Sequence, residues 1–217
     1  LSTLLQRLFS DATAAKRQLA KATLLFEREE KSKALQAFER GASRFPTHSS
    51  DFQSAAASLL MRNGQWEEAR KFWISATHCL KRSKRRSTLL RREASVYMLN
   101  GATCAYLMHD RKSAAIDMVT ALALDHSIRK TREYLLLQAR LLKPSSPEEA
   151  AEVLIKGARQ YPTDHALNYD AADLLLKLRR YQEGITFATR AARINSRDEP
   201  SRRLLTELSE KAALDSN

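Results

Sequence analysis

Residues 33–47 read KALQAFERGASRFPT, and residues 149–163, EAAEVLIKGARQYPT, repeat their arrangement. In the first stretch Ala34, Phe38, Gly41 and Pro46 follow one another at gaps of four, three and five residues. In the second, Ala150, Leu154, Gly157 and Pro162 keep the same gaps. Gaps of four and three bring small, large and small side chains onto one helical face, so that another helix can approach closely. The proline then ends the helix, because it lacks an amide hydrogen and clashes with the preceding turn.

The small residue that opens each such helix recurs as Ala34, Ala69, Ala114, Ala150 and Gly184, at intervals of 35, 45, 36 and 34 residues. In this spacing the chain resembles the tetratricopeptide repeat (TPR), a helix–turn–helix unit of about 34 residues. The likeness covers nearly the whole chain and is plainest in NGQWEEARKFW. There Asn63-Gly64 makes the turn, and Trp66, Ala69, Trp73 and Ala76 line the second helix. The resemblance implies an all-α, right-handed superhelical solenoid of about five repeats, at about 15–48, 49–86, 87–127, 128–164 and 165–198. Capping helices are expected at 1–13, ending near Ser10-Asp11 as the N-cap of the next helix, and at 199–213. The whole of 1–217 then forms one domain, expected to be part of a longer protein because the sequence starts at Leu without Met. The long second interval holds an insertion, KRSKRRSTLLRR. Gly184 in place of alanine costs its helix about 1 kcal/mol and softens the fifth repeat.

Composition agrees with this fold class. Five glycines and five prolines are too few for an all-β chain of this length, and 43% hydrophobic residues exclude a disordered one. No apolar run approaches the roughly 18 residues that span a membrane. Cys79 and Cys104 form no disulfide framework or CxxC pair, and they fit buried thiols in a reducing compartment. An intracellular location, cytoplasmic or nuclear, is expected, with the choice between them open.

Nothing in the sequence supports an enzyme. The five histidines have no metal-ligand spacing, and phosphate-binding glycine loops and nucleophile elbows are missing. Glu67-Glu68 and Glu148-Glu149 fall in the first turn of predicted helices, where they offset the positive end of the dipole. No cofactor, metal or small-molecule substrate is expected.

Two constellations point to partners. The net charge is +12, and Lys81, Arg82, Lys84, Arg85, Arg86, Arg91 and Arg92 place seven cations within twelve residues with no acid between them. Such a run repels itself unless an anion is present. Nucleic-acid phosphates, an acidic protein segment and nuclear import machinery all remain open, beside a merely solvated loop. The run lacks interleaved aromatics for base stacking, so a nucleic acid would be held through its phosphates.

The second constellation comes from the resemblance. First helices of the family line a concave groove that receives a peptide or helix. Carried over, this assigns Lys16, Thr23, Gln53, Leu99, Tyr106, Arg132, Leu135, Tyr169 and Asp173 to the groove, with packing between repeats as the alternative for each. The paired Lys and Asn of the family's carboxylate clamp are not met, because Asn100 is isolated and Asp173 has the wrong sign. The expected function is protein–protein scaffolding within a multi-subunit assembly. The alternative is a nucleic-acid-associated subunit that uses 81–92 for phosphate contacts.

Overall fold

The computed structural model describes residues 2–82 and 87–215, with side chains from residue 10 onward. The described residues form eleven α-helices and no strand. In chain order the helices are α1 Ser2–Glu27, α2 Lys31–Arg44, α3 Ser49–Arg62, α4 Trp66–Arg82, α5 Thr88–Leu107, α6 Arg111–Leu124, α7 Arg132–Leu142, α8 Pro147–Gln160, α9 His165–Lys177, α10 Tyr181–Ile194 and α11 Glu199–Asp215. They group into two packed units, Leu1–Ile128 with α1–α6 and Arg129–Asn217 with α7–α11. The boundary falls at the junction of the third and fourth repeats. Within each unit consecutive helices pack on one another across short connections, as expected for antiparallel neighbours.

The turn inside four of the five repeats follows one hydrogen-bond scheme. Glu29, Gly64, His109 and Arg179 each lie five residues before an opening small residue, and each has a positive φ, of 63°, 73°, 64° and 60°. The amide of each bonds the carbonyl three residues back, and the next amide bonds the carbonyl five residues before itself. This is the Schellman closure of a helix C-terminus, which needs a left-handed residue. Glycine supplies it only at Gly64; the other three positions hold a conformation unfavourable to a Cβ-bearing residue. The fourth repeat closes differently: Ser145 and Ser146 both donate to the Leu142 carbonyl, and Pro147 opens α8 with Glu148 and Glu149 in its first turn.

One local expectation is corrected. Residues 1–13 do not form a separate helix, because α1 runs unbroken through Ser10 and Asp11. No glycine or proline occurs in residues 1–27, and the alanine-rich stretch after Asp11 carries the helix onward. The described part of the inserted stretch KRSKRRSTLLRR is largely helical. Lys81 and Arg82 end α4, and Thr88–Arg92 begin α5, whose N-cap Ser87 accepts the Leu90 amide at 3.2 Å. Much of the extra length in the 45-residue interval is helix: α4 has 17 residues and α5 has 20, against 14 in α2 and α3. Lys84, Arg85 and Arg86 lie outside the described residues.

The small positions are contact points. Ala34, Ala69, Ala114 and Ala150 are fully buried. A Cβ on Gly41 would lie 2.2 Å from the buried ring of Phe52, so the first helix of the second repeat rests directly on the α2 backbone. Burial of such a ring contributes about 2 kcal/mol. Gly184 has a similar reason. A Cβ there would meet Leu208 of α11 at 2.7 Å, so the glycine seats the last helix, whose buried side is Leu204, Leu208 and Ala212.

Candidate partner-binding site

The groove residues expected in the first unit separate by register. Leu99 is 2% exposed and belongs to the core. α5 packs against both α4 and α6, so it buries two sides, including Ala94, Met98, Leu99, Ala102 and Ala105. Asn100, one position from Leu99, is half-open, and so are Thr103 and Tyr106 further along the helix. Lys16 is exposed on α1, and Thr23 is half-buried, its hydroxyl donating to the Leu19 carbonyl at 3.0 Å.

Gln53 lies on the wall of an open cleft of about 1030 Å³. The C-terminal ends of α2 and α4 and the N-terminal ends of α3 and α5 bound it. Its wall mixes Ser49, Gln53, Cys79 and Leu90 with Arg82 and with the carboxylates Glu39, Asp51 and Glu93. Cys79 and Ser49 are 3.4 Å apart, and Tyr97 donates to Glu93 at 2.5 Å. Burial, then the Glu93 bond, push the Tyr97 phenol well above its ordinary range. The other thiol, Cys104, is buried, and burial raises it to about 11. Among the described residues no group of three or more His, Cys, Asp or Glu could hold a metal.

Of the described part of the basic run, Arg82 lines this cleft. Lys81, Arg82, Arg91 and Arg92 are all exposed, and the ion pairs described in this unit use other cations. Lys81 and Arg82 occupy the last turn of α4, where they favour the helix dipole. Arg91 and Arg92 follow the opening of α5, whose first turn holds no acid. They are the fourth and fifth residues of α5, where the dipole effect has faded, so helix stability gives no reason for them.

In the second unit the expected groove residues are tied up internally. Leu135 is 3% exposed and packs on α8, its Cδ1 lying 3.6 Å from where a Gly157 Cβ would be. It is a core residue. Arg132 donates to Asp164, the N-cap of α9, whose other oxygen accepts the Leu167 amide at 2.8 Å. Asp173 is held by Lys143 at 3.0 Å and by Lys177 at 2.7 Å. Burial works to raise its pKa, but the two ammonium groups prevail and hold it below the usual carboxylate range. One turn earlier, burial outweighs Arg140, 3.5 Å away, and Asp170 is raised. Tyr169 stays half-buried with its ring stacked on His165 at 6.1 Å.

Three cation–carboxylate links therefore join α7 and its C-terminal turn to α9: Arg132–Asp164, Arg140–Asp170 and Lys143–Asp173. Sequence reading missed Arg140, Lys143 and Asp170. Their signal was a pair of cations and a pair of acids offset by 30 residues, nearly one repeat. Among the described residues no helix is long and apolar enough to cross a membrane.

No family model matches the sequence, and no curated protein is significantly similar to it. Solved structures are similar in fold. PilF of Pseudomonas aeruginosa aligns with a TM-score of 0.68 at 18% identity, over 94% of this chain and 89% of that one. YrrB, a TPR protein with an unusual peptide-binding site, aligns with a TM-score of 0.57 at 14% identity, over 86% and 89%. The C-terminal part of a TPR repeat-containing protein from Cytophaga hutchinsonii aligns with a TM-score of 0.57 at 12% identity, over 91% and 80%. At such identities the likeness is one of backbone, and it agrees with the turn closures and buried small residues above: the chain has the all-α fold of the tetratricopeptide-repeat proteins.

Proposed function

We propose that the protein is an interaction scaffold, and that its first unit takes a segment of a partner protein in the cleft between α2, α3, α4 and α5. The observation that carries this reading is the cleft itself: about 1030 Å³, open, and lined by both polar and apolar groups with Arg82 on its wall. Gln53 would offer both a donor and an acceptor to a peptide backbone. Leu90 would supply apolar contact, and Arg82 would attract an acidic side chain. The peptide-binding site of YrrB, on a similar fold, supports the reading. The second unit would act mainly as a rigid support, since its groove charges are committed to α7–α9 links.

The test is selection of binding peptides from a random display library, followed by titration against variants. Gln53→Ala combined with Arg82→Glu should weaken the selected peptides at least tenfold, about 1.4 kcal/mol, while Tyr169→Ala leaves them unchanged. Peptides that bind both variants equally would remove the cleft from the function.

One observation favours a second reading. Arg91 and Arg92 are exposed, take part in none of the ion pairs described in this unit and gain nothing from the α5 dipole, so an external anion such as a phosphate backbone would give them a role. In that case neutralising Lys81, Arg91 and Arg92, none of which lines the cleft, would reduce the salt dependence of nucleic-acid binding and leave peptide binding in place.

A further inference from the structure

The ion pairs of the second unit bring one group of cations into relief by leaving it out. Lys156 and Arg159 on α8 recur as Arg190 and Arg193 on α10, each exactly one 34-residue period later, the interval that separates Ala150 from Gly184. Lys156, Arg159 and Arg193 are exposed; Arg190 is half-buried. None takes part in the ion pairs described in this unit, which consume other cations.

These four lie on adjoining surfaces. Arg180, at the start of α10, donates to Glu152 of α8 at 2.8 Å and to Glu183 at 2.8 Å, tying the exposed stripes of the two helices together. Glu183 is lowered first by Arg180 and also by Arg159, which places Arg159 within electrostatic reach of α10. Along both stripes the acids stand toward the N-terminal half, bridged by Arg180, and the unpaired cations toward the C-terminal half. The Lys130 carbonyl accepts from Gln160 and from Tyr161, both at 2.8 Å, so another exposed cation lies beside the end of α8. Arg190 is held over the ring of Phe187 at 5.6 Å, which leaves its guanidinium edge available.

Helix stability accounts for half of this array. Arg159 and Arg193 fall in last turns, where a cation favours the dipole. Lys156 and Arg190 lie a turn further in, where that effect has faded. We infer that Lys156, Arg159, Arg190 and Arg193 form a phosphate-contacting face for a nucleic acid, separate from the cleft of the first unit. An acidic peptide fits less well. Protein segments gain affinity mainly from apolar anchors seated in pockets, and the only large exposed hydrophobic on α8 or α10 is Ile194. Nucleic acid needs no such anchor, because release of condensed counterions drives its binding to a spaced set of cations. The absence of exposed aromatics on these stripes makes the contact one to the backbone rather than to bases.

The experiment uses the complete 217-residue chain. A fluorescent duplex of about 20 base pairs is titrated by anisotropy between about 50 and 200 mM salt, with polyglutamate of matched charge as comparator. Substituting all four residues by glutamine should lower the slope of log affinity against log salt by about 3 to 4, at about 0.9 per phosphate lost. The Lys156→Gln/Arg190→Gln pair, which carries no dipole role, should keep the melting temperature and lose about half of that slope change. Should the fourfold variant fail to fold, this pair still decides. A wild-type slope in the pair variant overturns the proposal, and so does tighter binding of polyglutamate than of the duplex. Duplex binding whose whole salt dependence vanishes on neutralising Lys81, Arg82, Arg91 and Arg92 overturns it as well.

Discussion

Arg70 on α4 donates through Nε and Nη2, at 2.9 and 2.8 Å, to a single carboxylate oxygen of Asp117 on α6. The two residues are 47 positions apart and bridge the second helices of successive repeats. Both are mostly shielded, Asp117 the more so. Gly101 leaves room beside them, since a Cβ there would lie 4.0 Å from the same oxygen. Removing one partner of a shielded pair strands the other charge. Asp117→Ala should therefore cost about 2–4 kcal/mol in urea unfolding, more than any single exposed pair. Replacing both by apolar residues, Arg70→Met with Asp117→Leu, should recover most of that loss. A double variant as unstable as the single one would mean that the pair carries specific structure beyond its charge.

The contact between Gly41 and Phe52 makes a steric prediction. A methyl group at 41 would need the place of the ring, and the ring is buried between α2 and α3 and stacked 6.1 Å from Phe45. Alanine normally favours a helix over glycine by about 1 kcal/mol. Here Gly41→Ala should instead destabilise by about 1–3 kcal/mol through overpacking. Adding Phe52→Leu should relieve part of the clash. A Gly41→Ala variant more stable than wild type by thermal melting would refute the close approach.

The Schellman turns predict the opposite sign at another set of positions. Glu29, His109 and Arg179 hold the left-handed conformation that Gly64 holds without a Cβ. Left-handed backbone costs such residues about 1–2 kcal/mol, and glycine returns part of that through its unfolded-state entropy. His109→Gly and Arg179→Gly should each stabilise by about 0.5–1 kcal/mol. Gly64→Ala should destabilise by about 1 kcal/mol. Denaturant midpoints for the three variants check the pattern, and a destabilised Arg179→Gly would point to a role for the arginine side chain.

The helix pairs were legible because backbone approach demands small residues, and Ala34, Ala69, Ala114, Ala150 and Gly184 recur whatever surrounds them. The turn positions were legible in principle, since Gly64 marks a site five residues before four of the five opening small residues. Side-chain partnership was harder to read. Leu99 and Asn100 differ by one position, yet burial on two sides of α5 sends one into the core and leaves the other half-open. Arg132 reads as a groove cation until Asp164, needed as the α9 N-cap, is seen to bind it. Ser10-Asp11 looks like a helix start, but a cap residue acts only where the chain leaves helical geometry, and nothing nearby makes it do so. The 34-residue recurrence of Lys156 and Arg159 as Arg190 and Arg193 is present in the sequence, but two cations three apart near a helix C-terminus are too ordinary to stand out beside the denser run at 81–92.

Asp170 and Asp173 lie one turn apart on α9 and should respond to pH in opposite senses. Asp173 is lowered in the folded state: burial opposes its charge, but Lys177 and Lys143 outweigh it. Its stabilisation is present above the unfolded value of about 3.9 and is lost as pH falls through the lower folded value. Asp170 is raised, by burial that Arg140 does not offset. Its favourable contribution is complete below about pH 3.9 and disappears as pH rises through the raised folded value, so at neutral pH the ionised group is a burden. Asp173→Asn should then lower the melting temperature at about pH 7 by about 2–4 °C, for a loss near 1 kcal/mol, with the deficit shrinking toward about pH 3. Asp170→Asn should raise it at about pH 7, and the gain should fade as acidification protonates the wild-type carboxyl. Calorimetric melts of both variants across this range settle the assignment. Parallel shifts in the same direction would mean that the α7–α9 links, rather than the burial of each carboxylate, govern the acid response.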